Sequence, residues 1–99
     1  MSVVVDISGV VVYPFNNAKD DKYGQVSCLL KVIDLPASVP KPLEIADAYY
    51  CIKNGHLRVK VKGFVDVPDM KKDDEVTLKV QFKSWKMADG KEGISAFLV

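Results

Sequence analysis

The chain has 99 residues, 48% hydrophobic and 27% charged, with 14 basic against 13 acidic side chains and a formal net charge of +1. That is the size and composition of one globular domain spanning 1–99, and it excludes a disordered tail or a low-complexity polymer. The charge is uneven: residues 1–50 carry Lys19, Lys22, Lys31 and Lys41 against six acids, whereas residues 51–99 carry ten bases against seven acids. Arg58 is the only arginine, so an anion site here works mainly through ammonium point charges, which argues against sequence reading of duplex DNA by arginine forks.

Period-two alternation dominates the chain, and no window sustains a helical period. The first stretch, MSVVVDISGVVVYP, is apolar, but Asp6 interrupts it, no basic segment precedes it, and it is too short to span a membrane as a helix. It is expected to be a strand over Val3 to Tyr13. No membrane association is expected, and the location expected is the cytoplasm. Val3, Val4, Val5, Val10, Val11 and Val12 make this strand too apolar for an unprotected edge. A partner strand in a two-fold homodimer is the corresponding expectation.

PFNNAKDDKYG follows as a polar loop, and Tyr23 to Leu35 forms a second strand in which Val26, Cys28, Leu30 and Val32 share one face. PASVPKP then breaks the pattern, because three prolines cannot donate to a ladder. LEIADAYY has the length of about two helical turns. Tyr50 to Lys53 and His56 to Val67 flank Asn54-Gly55, a two-residue hairpin signal. The second arm places His56, Arg58, Lys60, Lys62 and Phe64 opposite Leu57, Val59, Val61 and Gly63, with Phe64 read as core through a bulge at Gly63.

Glu75 to Met87 and Glu92 to Val99 form a final hairpin around Ala88-Asp89-Gly90-Lys91. Its first strand puts Val76, Leu78, Val80 and Phe82 on one face and Thr77, Lys79, Gln81, Lys83 and Trp85 on the other. Phe82 and Phe97 are read as packing residues. The expected class is mainly β: a small five-stranded OB-like barrel with a long connector and one short helix as a further option.

Catalytic chemistry is not evident. His56 is the only histidine and directly follows a turn, and the two cysteines, Cys28 and Cys51, lie in apolar runs without metal-ligand spacing. Both thiols are expected to be reduced, buried and inert. Asp20-Asp21 and Asp73-Asp74-Glu75 are adjacent loop acids, which solvate more often than they catalyse. The chain is therefore expected not to be an enzyme and to need no cofactor or metal.

What stands out is a repeated alternation of cations with an aromatic on the non-core side of a strand: His56, Arg58, Lys60, Lys62 and Phe64 in one, Lys79, Gln81, Lys83 and Trp85 in the other. Single-stranded nucleic acid calls for that combination, since ammonium groups track phosphates while aromatic faces stack on bases at about 1–3 kcal/mol each. Outward lysines are also the ordinary solubilising choice. Trp85 weighs equally as a stacking platform or as a lid on the core. Of the adjacent Tyr49 and Tyr50, one points in and one out, and the sequence does not say which.

KYGQVSCLLKVIDLP, and later VTLKVQFKSWKMADGKEGISAFLV, resemble the second strand and final hairpin of small OB-fold single-stranded DNA-binding proteins of bacteriophages, including the filamentous-phage helix-destabilising proteins. The resemblance rests on Lys22-Tyr23-Gly24 opening a long strand and Phe82-Lys83 entering the last hairpin, and it covers under half of the chain. It implies a five-stranded barrel, sequence-tolerant binding of single strands during replication or recombination, and often a homodimer. Departures from it are the interleaved Asp20, Asp21, Asp66 and Asp69, and the strand-like end Phe97-Leu98-Val99 in place of an acidic tail.

The expected site therefore has Phe15, Tyr23 and Trp85 as stacking platforms, and Lys22, Arg58, Lys60, Lys62, Lys83 and Lys86 as phosphate contacts. The partner is single-stranded DNA, with RNA left open. Two rivals stay beside this reading: a protein-binding or inhibitor module anchored by Trp85, and a structural β-domain of an assembly.

Overall fold

Alternating side chains close the sheet on itself. The computed structural model describes residues 3–15, 26–61 and 69–99. It contains β1 (Val3–Tyr13), β2 (Val26–Asp34), β3 (Tyr49–Tyr50), β4 (Ile52–Lys53), β5 (His56–Val61), β6 (Glu75–Lys86) and β7 (Glu92–Leu98). β1 pairs antiparallel with β2 and with β6, β2 antiparallel with β5, and β6 antiparallel with β7. The ring closes where β5 runs parallel to β7, Val59 opposite Ala96 and Lys60 opposite Phe97. The circuit β1-β2-β5-β7-β6-β1 is a mixed five-stranded barrel of OB-like type.

Inward positions supply the core. Ile7, Val11, Leu30, Leu57, Val59 and Val80 are wholly buried, with Cys28 and Phe82 nearly so. Burying each large aliphatic or aromatic side chain contributes about 1.5–3 kcal/mol. Closure needs β1 to bend, and the bend falls at Gly9, where the β1–β2 register shifts. A Cβ on Gly9 would lie 2.9 Å from the Lys31 carbonyl oxygen and 3.1 Å from Leu30 Cβ. Only a residue without a side chain lets the two strands approach this closely.

β3 and β4 are one strand that changes partner. Tyr49 and Tyr50 pair with Gly93 and Ile94 of β7, while Ile52 and Lys53 pair with Leu57 and His56 of β5. At the switch, the Cys51 N–H donates to the Ile94 carbonyl at 3.1 Å and its carbonyl accepts from the Arg58 N–H at 3.0 Å. Cys51 thus stands between β5 and β7 at the end where they no longer pair with each other. The Asn54-Gly55 turn has φ of 54° and 77°, the two positive values a tight hairpin of this twist requires.

Several expectations are corrected. LEIADAYY is not helical: it holds a turn in which Asp47 has a φ of 62°, and its two tyrosines belong to β3. No α-helix occurs among the described residues. β1 is an edge over only part of its length, because β6 pairs with Val3–Val10 and β2 with Ser8–Tyr13 of the same chain. The edge argument for a homodimer is thereby confined to Val3–Ile7, whose β2-facing side has no strand partner among the described residues. Phe15 is buried at 2% exposure and belongs to the core cluster, so its ring is not offered to a base.

Replacing Gly9 with Ala should destabilise the barrel by about 1–3 kcal/mol, the usual cost of overpacking. The measurement is thermal unfolding, and an unchanged midpoint would mean that β1 and β2 separate at no cost.

Cys28 and Cys51 are free and buried, and burial pushes their thiols from the ordinary 9.0 up to about 12 and about 11. The unfolded chain then ionises first as pH rises, so this contribution to stability is full below about 9 and is lost towards 11–12. A thiol reagent at about pH 8 should label the folded protein only as fast as it opens. Immediate labelling would contradict the burial, and a lower melting temperature under reductant would reveal a disulfide.

Candidate nucleic-acid interface

The outward positions of β5, β6 and β7 meet across the barrel closure. Gln81, Lys83 and Trp85 of β6 stand opposite Phe97, Ser95 and Gly93 of β7, and Phe97 stands opposite Lys60 of β5. On the far side of β5, Lys60 and Arg58 face Ser27 and Leu29 of β2. Tyr49 of β3 lies beside Gly93, on the same row as Trp85. Residues far apart in sequence thus form one continuous surface.

Trp85 lies along this surface, outside the buried core cluster. Its indole Nε1–H donates to Ser95 Oγ at 2.9 Å, which accounts for a serine that is only 3% exposed. Beneath the ring, Gly93 leaves the necessary room: a Cβ there would fall 2.5 Å from Trp85 Cζ2 and 2.8 Å from both Tyr49 Cβ and the Tyr49 carbonyl oxygen. The Tyr49 and Trp85 rings sit side by side, centroids 6.1 Å apart and planes inclined at 32°. The indole is a half-buried plate fixed by a hydrogen bond at one side and a tyrosine at the other.

Cations sit against the neighbouring rings. Lys60 Nζ is 5.4 Å from the centroid of Tyr49, and Lys83 Nζ is 6.0 Å from the centroid of Phe97. Both distances are within reach of a cation–π attraction, which holds the ammonium groups close to the aromatic faces. Burial raises the Tyr49 phenol above its ordinary value, the nearby Cys51 adds to this and Arg58 opposes it. Tyr49 is therefore neutral at physiological pH and adds no negative charge beside the lysines. The Arg58 guanidinium donates to Ser27 Oγ at 3.1 Å, lying across from β5 to β2.

Of the residues expected at the site, Arg58, Lys60, Lys83 and Trp85 share this surface. Lys86 does not share their alternation, since it follows Phe82 and Ser84, and its Nζ lies 3.8 Å from Glu92 at the rim of a hollow beside Trp85. Lys22, Tyr23 and Lys62 lie outside the described residues, as does Phe64. Two surface residues were absent from the expected set. Tyr49 is the outward member of the tyrosine pair, whereas the Tyr50 hydroxyl donates to the Pro40 carbonyl at 2.6 Å. Phe97, read as packing, is half-buried on the outer face; its parity with Gly93 and Ser95, against Ile94, Ala96 and Leu98, is the signal that places it there.

Among the described residues, no group of three or more His, Cys, Asp or Glu side chains is placed to hold a metal ion, and no helix is long and apolar enough to cross a membrane. No protein-family model, curated protein or solved structure matches the chain.

Two substitutions test how the plate is held. Gly93→Ala should lift the indole and shift its fluorescence to the red. Ser95→Ala should leave the indole in place but cost about 1 kcal/mol through the lost hydrogen bond. If Gly93→Ala leaves the emission of Trp85 unchanged, the ring does not lie against Gly93.

Proposed function

We propose that the protein is a sequence-tolerant single-stranded nucleic-acid-binding protein, with DNA as the ligand, and that it performs no catalysis. The observation carrying this reading is the pairing of an ammonium with an aromatic ring twice on one outer face, Lys60 on Tyr49 and Lys83 on Phe97, next to the fixed plate of Trp85. A strand of DNA repeats a flat base and a negative phosphate at short intervals. This surface repeats their complements. Every base has a face to stack and every nucleotide a phosphate, so the recognition does not depend on sequence.

The OB-like barrel supports the reading without carrying it, because such barrels also bind sugars and proteins. A strand held on this face has its bases occupied by aromatic rings and is kept from pairing. Coating of single strands during replication or recombination is the role that follows. Among the described residues, no acidic side chain forms an ion pair with Lys60 or Lys83.

The test is a titration of the protein with oligothymidylate at several salt concentrations. Tyr49→Leu and Phe97→Leu keep apolar volume but remove the π face, and each should weaken binding by about 1–3 kcal/mol with an unchanged salt slope. Lys60→Gln and Lys83→Gln should each flatten the slope of log affinity against log salt by about 0.7, one lost phosphate contact apiece. Absence of binding at low salt would overturn the proposal. A protein ligand that competes for the same face without salt dependence would favour the interaction-module reading instead.

A further inference from the structure

Next to this face is a hollow of about 380 Å³ whose lining includes Leu29, Tyr49, Tyr50, Lys53, His56 and Arg58. Its volume is in the range of small-ligand sites, and it is open to solvent on one side. Three features define what fits it. Its apolar wall combines the Leu29 side chain with tyrosine surface, and Tyr50 is fixed there by its bond to the Pro40 carbonyl. Its polar side is basic, with Lys53 and Arg58 and no acidic residue in the lining. It is also continuous with the interface already described, because Tyr49 and Arg58 belong to both.

We propose that this hollow receives one unstacked nucleotide of the bound strand, the base against Leu29 and Tyr49 and its phosphate at Arg58 and Lys53. The inference rests on the single-strand reading above and deepens it: beside the flat stacking face, the protein has one concave nucleotide subsite. Arg58 suits the phosphate because one guanidinium nitrogen is engaged by Ser27 Oγ, which holds the group at the rim while its other N–H groups stay available. His56 Nδ1 donates to the Asn54 carbonyl at 3.0 Å, so Nε2 is the nitrogen left to meet a base edge. A subsite of this kind adds a local preference at one position of an otherwise sequence-tolerant footprint.

The experiment uses the shortest oligothymidylate that saturates the fluorescence change of Trp85, with an abasic residue placed at each position in turn. Wild-type protein should lose affinity most at a single position, by at least about fivefold, the lower end of what one base contributes. Leu29→Trp fills the hollow and should abolish the extra sensitivity at that position. Lys53→Ala, at an exposed residue, should weaken binding without altering the melting temperature. If the wild type binds and Tyr49→Leu weakens it, but the abasic scan is flat in both wild type and Leu29→Trp, the subsite is refuted and the open face stands. If the wild type binds no oligothymidylate, both fall.

Discussion

The arrangement of the candidate face depends on the parallel contact between β5 and β7. Without it the sheet would be an open ribbon, with the basic strand β5 at one end and the aromatic-bearing β6 and β7 at the other. Closing the ring at Val59–Ala96 and Lys60–Phe97 places the ammonium of one strand beside the rings of the others. Ala96 is wholly buried, and its small side chain suits two strands drawn together at the closure. The chemistry of the surface is thus a consequence of how the core closes.

The same closure creates the geometry around Cys51. Where β5 and β7 part, the strand Tyr49–Lys53 fills the opening and satisfies the backbone groups of both neighbours. Its two tyrosines then diverge in role. Tyr50 ties the proline-rich connector down through Pro40, and Tyr49 is left on the outer face beside Trp85. A buried thiol at the switch point suits this place, being small and apolar, and burial keeps it protonated.

Alternation made the barrel legible. Ile7 and Val11, Cys28 and Leu30, Leu57 and Val59, and Leu78, Val80 and Phe82 repeat at period two, and the Asn54-Gly55 turn fixes a register. The same alternation exposed Arg58, Lys60, Lys83 and Trp85 as outward residues. It failed where a local rule was overridden by long-range pairing. LEIADAYY has the length of about two helical turns, but β7 recruits its tyrosines into the sheet. β1 looks like an edge because of its valines, yet the topology gives it β6 along Val3–Val10 and β2 along Ser8–Tyr13. Phe15 sits in a polar loop sequence and still enters the core, while Phe97, in an apolar strand end, lies on the outer face with Gly93 and Ser95. Whether an aromatic faces water depends here on strand neighbours that one strand's own sequence does not specify.

The central claim is that a single strand lies on the β5–β7–β6 face rather than elsewhere on the barrel. Backbone amide chemical shifts recorded during titration with oligothymidylate test it residue by residue. The account predicts saturable shifts concentrated at Tyr49, Lys60, Lys83, Trp85, Gly93 and Phe97, with little change along the outward side of β1 at Val4 and Asp6. Shifts confined to β1, or none at any ratio of oligonucleotide to protein, would contradict it.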